Sequence, residues 1–95
     1  MKFTLESIEF SNQELSELHR RIGNNVANLR KEKSITQLDL ALSIGYSSTS
    51  VIAKAEAGTE GRHFSIEQLY KISEALQVNM AVFFNDVNKR NITES

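Results

Sequence analysis

The sequence predicts an all-α domain of five helices, and three observations lead to this fold class. Apolar residues recur at steps of three and four, which is the spacing of one helical face. A residue that commonly caps a helix start precedes four of these segments. Strand signals are weak outside residues 2–10. The expected helices cover residues 12–33, 37–44, 48–57, 66–77 and 80–88.

The first helix begins after Ser11, which forms a capping-box pattern with Glu14. Its apolar face consists of Leu15, Leu18, Ile22, Val26 and Leu29. Gly23 and the asparagines near it are weak helix formers. A break near Gly23 therefore stands as the alternative to one continuous helix.

Residues 37–58 predict two short helices joined by a tight turn. Thr36 caps the first of them, and the small Ala41 allows a second helix to cross closely. Gly45 lies where a chain leaving a helix often needs a positive φ, and Gly58 is a suitable end for the next helix. This order of features is typical of a helix-turn-helix, which places one helix in a DNA major groove.

The remaining segments repeat the same pattern. Ser65 and Gln68 form a second capping box, and Asn79 precedes a last helix. Residues 2–10 alternate apolar and polar side chains, as a short strand or an ordered arm would. We expect an arm at residues 1–11, a DNA-binding domain at 12–88 and a tail at 89–95.

Composition limits the classes of function. A chain of 95 residues forms one domain, and the absence of cysteine excludes disulfides and thiolate metal sites. We expect a cytoplasmic protein without a membrane span, because no apolar run is long enough. His19 and His63 lack metal-ligand spacing, so we expect solvent-exposed histidines, no metal and no cofactor. No catalytic constellation is apparent, which indicates a protein that is not an enzyme.

The net charge of −1 is unusual for a DNA-binding chain, but its distribution is uneven. Residues 1–19 carry a net charge of −3, residues 20–62 of +3, and residues 63–95 of −1. Screening limits interactions beyond roughly 8–10 Å at physiological salt, so local charge decides the surface field. The positive charge falls on the helix-turn-helix segment.

The sequence resembles the phage-repressor/Cro family of helix-turn-helix domains, also called the XRE family. The resemblance spans residues 20–84 and rests on Ile22-Gly23, Leu29-Arg30, Thr36-Gln37-x-x-Leu40-Ala41, Gly45, Ile52-x-Lys54-x-Glu56-x-Gly58 and Leu69-x-x-Ile72-x-x-Ala75-Leu76-x-Val78. The chain departs from the family in three places. The Gly45–Gly58 spacing is one residue longer than the commonest one, as in a subgroup with a Gly-Tyr-x-Ser-x-Ser turn. Ala55 replaces a larger aliphatic residue, and the loop at residues 59–64 is long and lacks proline.

The resemblance implies a repressor-like bundle and a sequence-specific transcriptional regulator that binds double-stranded DNA. A homodimer repressing from a pseudo-palindromic operator is the family default. The alternative is an antitoxin or a restriction-modification controller that also binds a protein partner, such as a toxin, through residues 1–10 or 89–95. Such antitoxins usually bind their own operator as well.

The expected DNA-binding residues are Gln37, Ser47, Ser48, Thr49, Ser50, Ala53, Lys54 and Arg62. Gln37 opens a helix whose free N–H groups favour a phosphate. Hydroxyls reach phosphates or base edges, and methyl groups pack on thymine. None of the outward residues of the third helix is Arg, Asn or Gln, so we expect modest base readout and more weight on phosphates and DNA shape.

Two further groups of residues have expected structural roles, one as an ion pair and one as a dimer interface. The resemblance implies a structural ion pair between Arg30 and Glu56. Met80, Phe84 and Val87 share one face of the expected last helix, which favours a dimer interface over packing against the first helix.

Overall fold

The computed structural model describes residues 7–88 and shows an all-α domain, as predicted. Its four α-helices are α1 (Asn12–Glu32), α2 (Gln37–Ser43), α3 (Ser50–Ala57) and α4 (Ile66–Leu76). Two 3₁₀ turns follow α3 and α4, at Thr59–Gly61 and Met80–Phe84. No strand occurs between residues 7 and 88. Most of the predicted strand or arm and the whole tail at 89–95 lie outside the described residues.

Helix α1 is continuous, so the alternative of a break near Gly23 is wrong. Ser11 Oγ accepts the Glu14 N–H at 3.0 Å, which confirms the predicted cap. Gly23 is buried where α1 crosses α3. A Cβ at this position would lie 2.5 Å from the Ala55 carbonyl oxygen and 2.8 Å from that of Glu56. The glycine therefore permits a close crossing, and the surrounding helix outweighs its poor propensity.

All four helices contribute to one hydrophobic core. Its fully buried side chains include Val26, Leu40, Ile52, Leu69, Ile72, Leu76 and Phe83. Helix α1 packs most extensively against α3. Side chains packed this densely occupy fixed positions, so the core holds α3 as a rigid element on the domain surface.

The connection between α2 and α3 is longer than predicted, because α3 begins at Ser50 rather than at residue 48. Thr49 precedes it with right-handed helical angles, φ −75° and ψ −11°, and makes no side-chain cap hydrogen bond. Gly45 has φ +97°, as the turn prediction required. Ser47 and Ser48 therefore belong to the turn, which accommodates the additional residue in the Gly45–Gly58 spacing.

The prediction of a fifth α-helix at residues 80–88 is wrong, since only a five-residue 3₁₀ turn forms. The side chain of Asn25 on α1 donates to the carbonyl oxygens of Phe83, at 2.9 Å, and Asn85, at 2.8 Å. An α-helix over residues 80–88 would use the Phe83 carbonyl for the N–H of residue 87. Asp86 also has φ +56°, which ends any helical run.

This change of conformation alters the expected dimer surface. Met80 and Val87 are half-buried and pack against the core. Phe84 keeps 37% of its surface exposed. The three side chains therefore do not form the exposed helical stripe that the sequence predicted, and Phe84 is its accessible member.

Candidate nucleic-acid interface

Helix α3 has one buried face and one polar outer face. Ile52 and Ala55 point into the core, with 0% and 2% of their surface exposed. Ser47, Ser48 and Ser50 are exposed at or just before its start, and Thr49 and Ala53 are half-buried. Because α3 has no side-chain cap, the Thr49 hydroxyl is not consumed by the first turn of the helix.

Lys54 extends this outer face by one turn. Its Nζ atom lies 3.8 Å from Oε2 of Glu60, and both side chains are well exposed, at 40% and 65%. Exposed ion pairs of this length contribute little free energy in water. Lys54 is therefore available to an external anion.

A cleft of about 250 Å³ adjoins this face of α3. Its lining includes Ser50, Lys54, Arg62 and His63, together with Gln68 from α4. The Gln68 side chain is fixed at both ends: it accepts the Ser65 N–H at 2.8 Å and donates to the Tyr46 hydroxyl at 2.8 Å. The Gln68 wall of the cleft is thus rigid, and Lys54 and Arg62 bring positive charge to the cleft.

The structure brings Arg30 and Glu56 together in the interior. Arg30 donates to Glu56 from Nε at 2.8 Å and from Nη2 at 3.0 Å. Its third donor, Nη1, binds the Ile35 carbonyl oxygen at 2.8 Å. The pair joins the end of α1, the loop after it and the end of α3.

This arrangement of two short helices on a supporting third is matched by a family model. Residues 26–83, more than half of the chain, match the model of the helix-turn-helix family. The chain belongs to the XRE-type helix-turn-helix family. It therefore carries the DNA-binding domain of a transcriptional regulator, and α3 is the second helix of its helix-turn-helix, the position named the recognition helix. No curated protein matches the chain. Within residues 7–88, no helix has the length and apolarity that a membrane crossing demands.

The side chain of Gln37, an expected DNA contact of this XRE-type domain, makes a hydrogen bond to a buried carboxylate. Its Nε2 atom donates to Glu56 Oε1 at 3.0 Å, so the side chain extends the Arg30–Glu56 network. A carboxylate only accepts hydrogen bonds, which fixes the amide with its nitrogen toward Glu56. This contact between the first residue of α2 and the end of α3 was not predicted from the sequence.

Of the two histidines expected to be solvent-exposed, His63 is exposed and His19 is half-buried. The rings of His19 on α1 and His63 after the recognition helix are stacked, with centroids 3.9 Å apart and an interplanar angle of 21°. Burial lowers the pKa of His19 below its usual 6.5, and positive charge on His63 lowers it further. No group of three or more potential metal-ligating side chains occurs among residues 7–88.

Arg62, the remaining predicted contact, is exposed and lines clefts on both sides of the stack. Arg20 and Arg21 belong to a different environment, because both pair with Glu17 on α1 at 2.7 and 3.4 Å. The hydrogen bond from Arg20 is the main cause of the lowered pKa of Glu17. The basic surface near the recognition helix is therefore supplied by Lys54 and Arg62, with His63 beside them.

Proposed function

We propose that the protein is a sequence-specific transcriptional repressor whose recognition helix α3 lies in the major groove of its operator. The observation that carries this proposal is the outer face of α3, where exposed hydroxyls lead into Lys54 while Ile52 and Ala55 anchor the inner face. The family membership of residues 26–83 supports the same orientation. Repression follows if the bound protein occludes a promoter.

The side chains of α3 favour a particular kind of recognition. Ser47, Ser48, Thr49 and Ser50 offer short hydroxyls, and Ala53 offers a methyl group. None of them makes the bidentate base contacts that Arg, Asn and Gln make. Lys54 and Arg62 bind phosphates, which position the protein without reading sequence. Specificity then depends strongly on DNA shape and deformability.

The active species in this proposal is a homodimer on a pseudo-palindromic operator. Two recognition helices about 34 Å apart reach successive major grooves on one side of the duplex. Phe84 supports an interface beyond the last turn, because it is a large apolar side chain exposed beside the half-buried Met80 and Val87. A dimer also gains affinity from linking two half-sites.

A second function is favoured by a separate observation at the start of the chain. Ile8 and Phe10, within the predicted arm, are 62% and 59% exposed. Large apolar side chains in such a position suit a protein partner. The alternative is therefore an antitoxin or restriction-modification controller whose arm binds that partner.

Selection from a random DNA pool tests the repressor proposal. We expect an enriched, pseudo-palindromic sequence with half-sites about 10–10.5 base pairs apart. A titration on the selected site then measures salt dependence. With about 6–10 phosphate contacts, affinity should fall by about 10³–10⁵ between 50 and 200 mM salt. A pool without enrichment, or binding insensitive to salt, would instead favour the protein-interaction function.

A further inference from the structure

We propose that His63 is a proton-dependent contact to a DNA phosphate and that its ring is positioned by stacking on His19, so that DNA affinity rises as the pH falls from about 8 to about 6. The proposal rests on the proposed DNA-binding function and adds regulation by pH to it.

The position of His63 places its imidazole between α1 and the recognition helix. On one side it lines the cleft that holds Ser50 and Lys54. On the other side it lines a cleft of about 340 Å³ with His19, Asn12 and Ser16 of α1. Its Nδ1 atom lies 3.3 Å from the Gly61 carbonyl oxygen. The stack and this contact together restrain the ring beside the basic face of α3.

The two rings differ in their exposure to solvent, which decides which of them an anion can reach. Two imidazolium ions with centroids 3.9 Å apart repel each other, so the pair takes up one proton before the second. His19 is half-buried, and this burial lowers its pKa. His63 is exposed, so it is the ring that an arriving phosphate can reach. The neutral ring of His19 then presents its π face to a cation, which is a favourable arrangement.

The charged groups around His63 make its protonation sensitive to an arriving anion. His19 faces it from α1, Lys54 from α3, and Arg62 and Glu60 belong to its own loop. Among the cleft-lining residues, α4 contributes the neutral Gln68. Glu60, the one carboxylate of this set, lies beside Lys54.

Positive neighbours disfavour a further positive charge in the free protein. A phosphate placed among Lys54, Arg62 and His63 reverses this effect, because it favours the imidazolium form. Proton uptake and DNA binding therefore strengthen each other, as linkage requires. Uptake of one proton by each protomer raises affinity by up to about tenfold per pH unit and per protomer.

The chain contains two histidines in total, so two single substitutions separate their contributions to the pH dependence. Affinity for the selected DNA site is measured by fluorescence anisotropy at pH 6, 7 and 8 and constant salt. We expect the wild type to bind more tightly at each lower pH and His63→Gln to lose this dependence. His19→Phe is the matched control: it keeps an aromatic stacking partner without a titrating group, and should retain the pH dependence. Circular dichroism checks the fold of each variant.

An independent measurement needs no variant, because it follows the wild-type protein by NMR. At constant pH 7, addition of the selected DNA should move the NMR signals of the His63 ring toward their imidazolium positions, while those of His19 stay near neutral. Unchanged His63 signals would overturn the inference.

Two affinity results would also overturn it: a pH dependence that survives in His63→Gln, or wild-type binding that is equally tight at all three pH values. Both leave the DNA-binding function intact. A wild-type protein that binds no DNA at any pH instead contradicts the proposed function itself, and this inference with it.

Discussion

Arg30 and Glu56 form a two-point ion pair in the interior, with only 8% and 6% of their side chains exposed. The pair connects the end of α1 to the end of the recognition helix, and Gln37 donates a further hydrogen bond to the same carboxylate. The orientation of α3 on the domain is therefore fixed by a buried polar network as well as by the apolar core. Such networks are costly to break, because a remaining partner stays buried without its counter-charge.

Replacing Glu56 with alanine should destabilise the fold strongly, since Arg30 would be left buried and unpaired. We expect a loss of about 3–5 kcal/mol in the free energy of unfolding, measured by urea denaturation. Glu17→Ala is the matched control, because Glu17 pairs with Arg20 at the surface of α1. Its effect on stability should be small, because exposed ion pairs contribute little. Equal stability of the wild type and Glu56→Ala would contradict a structural role for the pair.

Replacing Gly23 with alanine should also destabilise, although alanine is the better helix former. The new Cβ would meet the backbone carbonyl of Ala55 at 2.5 Å, and backbone atoms cannot move away without separating α1 from α3. We expect thermal unfolding to report a loss of about 1–3 kcal/mol, as in overpacked cores. The neighbouring exposed Asn24→Ala should change stability by no more than about 0.5 kcal/mol. A Gly23→Ala variant more stable than wild type would exclude this close crossing.

Replacing Lys54 with alanine should weaken DNA binding while the melting temperature stays unchanged. Lys54 lies on the outer face of α3, and its contact with Glu60 is an exposed pair of little energetic weight. A gel-shift titration beside thermal melting separates the two effects. Lys71→Ala removes an equally positive side chain from the exposed surface of α4 and should leave affinity nearly unchanged. A lowered melting temperature with unaltered affinity would show that Lys54 serves the fold.

Stability should fall as the pH drops from 7.5 to 5.5, in part because of His19. Burial lowers the pKa of His19 in the folded protein below the usual 6.5. As the pH falls below the pKa of the unfolded chain, His19 binds more protons in the unfolded chain than in the folded protein. Acidification therefore favours unfolding. Urea denaturation at both pH values should show a smaller drop for His19→Phe than for the wild type. The same drop in both proteins would assign the effect to other groups.

Replacing Phe84 with lysine should give a folded monomer that binds the operator poorly. A charge at the proposed interface would have to be desolvated, whereas on a free surface it costs almost nothing. Light scattering on the wild type, Phe84→Lys and Tyr70→Lys provides the comparison, since Tyr70 is 58% exposed on α4. We expect Tyr70→Lys to remain dimeric. A monomeric wild type, or a dimeric Phe84 variant, would place the interface elsewhere.

Local sequence determined the four α-helices and most of their ends. The capping residues Ser11, Thr36 and Ser65 act within three residues along the chain, and each is used as predicted. Ile52 and Ala55, three residues apart, form the inner face of α3, as the apolar period of a helix requires. Caps and the apolar period join residues that are close in sequence, so at these positions a local pattern is enough to predict them.

Tertiary structure decided the features that join distant segments. Asn25 binds carbonyls of residues 83 and 85 and so replaces the expected last helix with a 3₁₀ turn. Gly23 stays helical because α3 crosses it, and His19 meets His63 because the loop after α3 returns to α1. The free energy of each contact depends on which segments the whole core brings together. A sequence alone does not show how close two distant segments lie in space. The recognition helix was therefore predictable, while the histidine pair beside it was not.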